Sequence, residues 1–152
     1  MKRVSALFLA AALVGGASHA VAQMNAEQMA MVRHANPMPN LMLVVEKHQD
    51  ALGLDERQKK ALADWREKMR PRMMEKVKQV VRLEKEIERA ALSGASDRTI
   101  RELMARLFQV RGAIIRQKLA CRDNMARILG PEKMRKVVEL YRKQQEARAA
   151  GA

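Results

Sequence analysis

Apolar residues recur every three or four positions along most of the chain, which is the spacing that places side chains on one face of an α-helix. One stripe, between residues 56 and 92, consists of Leu62, Trp65, Met69, Met73, Val77, Val80, Ile87 and Ala91. A second, between 98 and 129, consists of Ile100, Leu103, Leu107, Ile114, Cys121, Met125 and Ile128. The stripes predict two long helices, and the short break at 93–97 predicts that they form an antiparallel hairpin.

Two shorter helices are predicted before and after this hairpin. The first spans about 41–52, with Asn40 as its N-cap and an apolar face of Leu41, Val44, Val45, His48 and Leu52. The last begins at Pro131, because Gly130 suits the end of a helix and proline suits the first helical position. Pro71 lies inside the first long helix, where we expect it to kink the helix without dividing it.

The junction between the first two helices carries a strong helix-start signal, Leu52-Gly53-Leu54-Asp55-Glu56-Arg57-Gln58. Gly53 can adopt the left-handed backbone angles that end a helix. Asp55 can cap the next helix, and Gln58 can bond back to the Asp55 N–H in a capping box. A less regular copy, Leu129-Gly130-Pro131-Glu132-Lys133, follows the second long helix.

The first 22 residues have the plan of a secretory signal peptide: Lys2 and Arg3, an apolar run to Val14, and a small-residue cleavage site at Ala20-Val21-Ala22. The run is too short to span a membrane, so we favour cleavage over the alternative of an uncleaved N-terminal anchor, and Ala22 is not a lipid-accepting cysteine. We therefore expect an exported, periplasmic protein. Residues 23–39 contain Pro37 and Pro39 and are predicted to form a flexible arm, while 146–152 are predicted to fray.

Charge and composition fit a long-helix protein of one domain. The 152 residues include 30 Lys and Arg against 17 Asp and Glu, and only 3% are aromatic. Removing Lys2 and Arg3 with the signal peptide leaves 28 basic residues and a net charge of +11. For an exported chain this charge indicates acidic proteins, envelope polymers or anionic membranes as partners, and not nucleic acid. An ordinary solvated helix face is the alternative interpretation.

Two side-chain types in the arm and the first helix could bind metal. His34, Met38, Met42 and His48 offer the imidazole and thioether groups that suit copper or zinc. No His-x-x-x-His pair or cysteine pair fixes their geometry, and a packed His48 is the alternative. Cys121 is the only cysteine, so we expect a free thiol on a helix seam, with an intermolecular disulfide or a soft-metal ligand as the alternatives. No nucleophile–base pair or phosphate-binding loop indicates an enzyme, and no cofactor is expected.

Export, small size, a helical plan, many methionines and Leu54-Asp55-x-x-Gln58 together resemble the Spy/CpxP superfamily of periplasmic proteins. That family is named for a Leu-Thr-x-x-Gln motif. Asp55 keeps the capping chemistry of the threonine, whereas Gly130 and Lys133 depart from the motif in the second copy. The resemblance covers about 40–145. It implies an all-α, four-helix extended hairpin that forms an antiparallel homodimer shaped as a thin curved cradle.

The resemblance also implies a function. It implies an ATP-independent chaperone or envelope-stress adaptor that binds unfolded or misfolded envelope proteins, or alternatively a copper- or zinc-sensing protein that acts on a sensor-protein partner. Long basic side chains on both helices of the hairpin suit acidic clients, and flexible methionines adapt to varied shapes. The candidate client-binding residues are Arg70, Arg72, Lys76, Arg106, Arg111 and Arg116.

Overall fold

The structure, a computed structural model, describes residues 34–36 and 38–150. These residues form an all-α fold of three helical elements: α1 Leu41–Lys47, α2 Glu56–Leu92 and α3 Asp97–Ala150. None of the helices within this part of the chain carries an apolar stretch long enough to cross a membrane. The signal peptide predicted at 1–22 and most of the predicted arm lie outside the described residues.

The start of α2 follows the predicted capping chemistry. Gly53 has a φ of 59°, which ends the preceding turn in the left-handed region. The Gln58 N–H donates to Asp55 Oδ1 at 2.7 Å, and the Asp55 N–H donates to Gln58 Oε1 at 3.4 Å. The predicted capping box is therefore confirmed.

Helices α2 and α3 run antiparallel. The connection between them turns at Gly94, where φ is 70°, and the Ser96 hydroxyl accepts from the Thr99 N–H at 3.2 Å. The start of α2 faces the part of α3 just before Gly130, since Gln58 Nε2 donates to the Ile128 carbonyl oxygen at 2.9 Å. Further along α2, the Met69 carbonyl oxygen accepts from Gln117 Nε2 at 3.1 Å. Helix α2 continues through Pro71 as one element, as the uninterrupted phase of its apolar stripe predicted.

Helix α3 contains one break, at Gly130. This residue has φ 75° and ψ 171°, which are not helical angles, so the helical stretch divides into 97–129 and 131–150. The predicted stop at Gly130 is therefore confirmed, and Pro131 opens the second stretch as predicted. Since the backbone changes direction here, residues beyond the break can return toward α1.

Helix α1 is shorter than predicted. We expected it to reach Leu52, but it ends at Lys47 because His48, with φ −128° and ψ 28°, leaves the helical angles; its N–H makes the last helical bonds, to the Val44 and Val45 carbonyl oxygens. The chain then continues in turns, with the Leu54 N–H donating to the Gln49 carbonyl oxygen at 3.2 Å. These turns bury both Leu52 and Leu54, which a continued helix would have separated on different faces.

Two apolar clusters form the core. The first joins α1, the start of α2 and the Gly130 region: Leu41, Val44, Val45, Leu52, Leu54, Leu62, Met125, Leu129 and Val137. The second lies between the distal parts of the long helices: Ala35, Val77, Val80, Leu83, Leu107 and Ile114. Ala35, from the segment predicted to be a flexible arm, is only 1% exposed and packs into this second cluster.

Candidate functional site

The four residues predicted as metal ligands occupy three different surroundings. His34 Nε2 lies 2.9 Å from Glu84 Oε1 and 3.4 Å from Arg111 Nη2, beside the middle of the hairpin. His48 Nε2 lies 2.9 Å from Gln144 Nε2, near the end of α3. Met38 and Met42 line a small pocket that contains neither histidine. The structure thus brings the two methionines together and pairs each histidine with a different partner.

The pocket that holds the methionines lies where α1 meets α3. Its lining is Met38, Pro39, Asn40, Leu41, Met42, Lys118, Cys121, Arg122 and Met125. The sequence places Cys121 and Met125 in the apolar stripe and offers Cys121 as a possible soft-metal ligand, but sequence reasoning missed their approach to Met38 and Met42. No signal in the sequence shows this approach, because it depends on how α1 packs across the hairpin. Four sulfur-containing side chains therefore share one small pocket.

Burial controls the ionisation of the polar groups at this pocket. Burial raises the pKa of the Cys121 thiol, an effect that the Trp65 indole N–H and Lys118 oppose and Glu46 reinforces. Trp65 Nε1 is itself buried and makes no hydrogen bond of normal geometry. Burial also lowers the pKa of Lys118, whose Nζ donates to Asn40 Oδ1 at 3.3 Å.

Glu46 of α1 is partly buried and is paired with Arg66 of α2. Its Oε1 is 2.6 Å from Arg66 Nε, but the atoms are not aligned for a hydrogen bond, so the contact is one between charges. Burial raises the pKa of the Glu46 carboxyl, and the charges of Arg66 and Arg70 only partly oppose that effect. Arg70, predicted to bind clients, therefore lies half-buried beside a carboxylate of its own chain.

The other predicted client-binding residues divide into bonded and exposed groups. Lys76 Nζ donates to Gln117 Oε1 at 2.8 Å, and Arg111 Nη2 donates to Glu84 Oε1 at 2.5 Å. These two side chains help to join α2 to α3. Arg72, Arg106 and Arg116 are exposed and form no ion pair with another described residue.

Three large apolar side chains are exposed on the hairpin: Leu92 at 83%, Phe108 at 60% and Met104 at 38%. Met104 and Phe108 are one helical turn apart on α3, so they lie on the same face. Between 103 and 122 this helix has five basic residues and no acidic one. We call the three exposed apolar residues, together with the exposed Arg106 and Arg116 of α3, the hairpin patch; Arg106 is two positions from both Met104 and Phe108, so it projects from a different side of α3. Its apolar members were not predicted as functional, although their position outside the stripe of Leu103, Leu107 and Ile114 was a usable signal.

Comparisons of the chain with protein families, with curated proteins and with solved structures each found no match. Within residues 34–36 and 38–150, no three His, Cys, Asp or Glu side chains are grouped so as to hold a metal ion. The hairpin patch and the sulfur-lined pocket are therefore considered on their own geometry.

Proposed function

We propose that the protein is a periplasmic, ATP-independent chaperone or envelope-stress adaptor that binds partly unfolded, acidic protein segments on the hairpin patch. The observation that carries this proposal is the 60% exposure of Phe108 within a helical segment that has five basic and no acidic residues. An exposed aromatic residue on a segment with an excess of positive charge suits a partner that offers both apolar and acidic side chains. No catalytic step is part of the proposal.

The proposed mechanism has two stages. Positive charge first attracts the acidic segment, and this stage weakens as salt screens the charges. Leu92, Met104 and Phe108 then contact apolar side chains that a folded client would bury, so folded proteins are released. An antiparallel homodimer would place two hairpin patches on one thin, curved surface. A four-helix arrangement, with 97–129 and 131–150 counted as separate helices, fits the break at Gly130.

The test is the aggregation of a reduced, unfolding acidic client, measured by light scattering with the mature protein at equimolar concentration and low salt. We expect suppression that weakens at high salt. Phe108→Ser should reduce suppression, whereas the matched control Ala105→Ser, an exposed neighbour on the same helix, should not. Absence of suppression by the unmodified protein at low salt would contradict the proposal.

A second experiment separates the effect of the arginines in the hairpin patch from the effect of the net positive charge of the whole protein. Arg106→Glu combined with Arg116→Glu should lower the rate of client capture, measured by stopped-flow fluorescence. Arg148→Glu, combined with Arg142→Glu, changes the net charge equally at exposed positions in the last part of α3. Equal loss in both double variants would show that overall charge, and not the hairpin patch, attracts the client.

A metal-sensing function is the second candidate. The observation that favours it is the convergence of four sulfur-containing side chains on one pocket. In this function a bound ion would alter the packing of α1 on the hairpin, and a sensor protein would respond to that change.

A further inference from the structure

We propose that Met38, Met42, Cys121 and Met125 form a binding site for one Cu(I) ion. All four residues line the pocket between α1 and α3. The proposed site differs from the set suggested by sequence, since it replaces His34 and His48 with two residues of α3. It rests on the second candidate function, metal sensing, and is independent of client binding on the hairpin patch, because the two sets share no residue.

Two of the proposed ligands are positioned by α3. Cys121 and Met125 are four residues apart, so they lie one turn apart on the same face of the helix. Met125 is only 1% exposed, and Cys121 is half-buried with a free thiol. Both side chains are therefore held on the rigid side of the pocket by the core that surrounds them.

The other two ligands come from the segment that leads into α1. Met42 lies in the first turn of α1. The backbone of Met38 is held from both sides by the buried Asn36: the Met38 N–H donates to Asn36 Oδ1 at 3.1 Å, and Asn36 Nδ2 donates to the Met38 carbonyl oxygen at 3.3 Å. The bond from Lys118 to Asn40 ties this segment to α3 beside the pocket. The segment that carries Met38 and Met42 is thus held beside α3 before any ion binds, which lowers the cost of binding.

The donor chemistry favours a soft, monovalent ion. Thiolate and thioether sulfur select Cu(I), whereas Zn(II) prefers imidazole, thiolate and carboxylate groups. On binding, the Cys121 thiol releases its proton to solvent and forms an S–Cu(I) bond. The three thioethers donate lone pairs, and no oxidation state changes. The charges of the thiolate and Cu(I) cancel. The bound ion therefore adds no net positive charge beside the two basic residues of the lining, Lys118 and Arg122.

The test is a competitive titration of the reduced mature protein with Cu(I) against bicinchoninate under argon. We expect one tightly held ion per chain, and X-ray absorption of the complex should show a first shell of sulfur only. Cys121→Ser should abolish this binding. Met125→Leu and Met42→Leu, which keep side-chain volume, should each weaken it about tenfold or more, the loss of roughly 1.4 kcal/mol.

Matched control variants distinguish Cu(I) binding in the pocket from Cu(I) binding by methionine or histidine residues elsewhere. Met73→Leu changes a methionine in the second apolar cluster, and His34→Ala with His48→Ala removes both described histidines; neither should alter Cu(I) affinity. Zn(II) should show no saturable binding at this site. Circular dichroism of each variant establishes that it is folded.

Three results would overturn the proposal: no competition with bicinchoninate, nitrogen in the first shell, or binding that survives in Cys121→Ser and Met125→Leu. Absence of competition with bicinchoninate would mean that the four side chains only pack in the core and bind no ion. Client-aggregation assays without copper are run on the same variants. Loss of Cu(I) binding with normal suppression then separates failure of this site from failure of the proposed chaperone function.

Discussion

Lys133 Nζ donates to Gln58 Oε1 at 2.7 Å, and this contact joins the two helix-start signals of the chain. Gln58 completes the capping box of α2, while its Nε2 donates to the Ile128 carbonyl oxygen at 2.9 Å. Lys133 also donates to the Gly53 carbonyl oxygen at 2.5 Å. The start of α2 and the break in α3 are therefore one bonded unit, and the position where α3 changes direction is fixed by the residues that begin α2.

Replacing Gln58 should destabilise the fold more than an ordinary surface substitution. Gln58→Ala removes the return bond of the capping box, the bond to Ile128 and an acceptor for Lys133. We expect a loss of about 1–3 kcal/mol in the free energy of unfolding, measured by urea denaturation. Arg57→Ala, at the exposed neighbouring position, is the control. Equal effects of the two substitutions would mean that the bonds of Gln58 contribute no net stability.

Lys133 should stabilise the fold through its charged ammonium group and not only through the length of its side chain. Lys133→Met keeps most of the side-chain volume but removes the donor to Gly53 and Gln58, so we expect a loss on the order of 1–2 kcal/mol. The exposed Lys78→Met on α2 is the matched control and should change the urea midpoint little. A Lys133→Met variant as stable as the control would show that solvent replaces these bonds without loss.

The sequence predicts most of the helical plan because its signals are local. The bounds of α2, the capping box at Asp55, the turn at Gly94 and the stop at Gly130 each depend on residues within a few positions of one another. The end of α1 was predicted wrongly because the burial of Leu52 and Leu54 together depends on the other helices. The Lys133–Gln58 contact spans 75 positions and has no local signal.

The candidate sites were less predictable for the same reason. Residue type identified Met38 and Met42 as soft donors, but only the packing of α1 on α3 places them with Cys121 and Met125. Arg111 and Arg106 look equivalent in the sequence, five positions apart on one helix. The fold separates them, because Arg111 faces Glu84 across the hairpin and Arg106 faces solvent.

That difference between the two arginines predicts different consequences of substitution. Arg111→Ala leaves Glu84 without its closest partner, and because both side chains are about one-third exposed we expect a loss on the order of 1 kcal/mol. Arg106→Ala should leave the free energy of unfolding nearly unchanged and should slow client capture. Urea denaturation and capture kinetics on both variants check this pair of expectations. Equal stability losses at the two positions would contradict the assignment of Arg111 to the hairpin contact.

The buried carboxyl of Glu46 should make the fold less stable as pH rises. Its pKa is raised by burial, so the folded chain holds this proton at pH values where the unfolded chain, with a pKa near 4.5, has released it. Stability from this group is therefore fully present below about pH 4.5 and is lost as pH rises through the raised pKa. In Glu46→Gln, the stability of the fold should decrease less as pH rises. The melting temperature of this variant at pH 7 should be unchanged or higher.

An acidic residue with the opposite pKa shift provides the control for Glu46. Lys143 lowers the pKa of Glu139 on the surface of α3, so Glu139 stabilises the fold above pH 4.5 and loses that effect as pH falls. Glu139→Gln should therefore change the pH dependence slightly and in the opposite direction. A lower melting temperature for Glu46→Gln at pH 7 would show that the charges of Arg66 and Arg70 outweigh the effect of burial.

Replacing either of two glycines on α3 with alanine should change the free energy of unfolding, and the two changes should have opposite signs. Gly130 has φ 75° and ψ 171°, a region essentially restricted to glycine, and a Cβ there would meet no atom within 4 Å. Gly130→Ala should therefore cost about 1–3 kcal/mol through the backbone alone. Gly112 has ordinary helical angles, and its Cβ would meet only the flexible end of Arg116 at 3.4 Å. Gly112→Ala should stabilise the fold by up to about 1 kcal/mol. Urea denaturation of both variants tests the break directly. If Gly130→Ala were stabilising, residues 97–150 would form one continuous helix. The contact between Lys133 and Gln58 would then require another geometry.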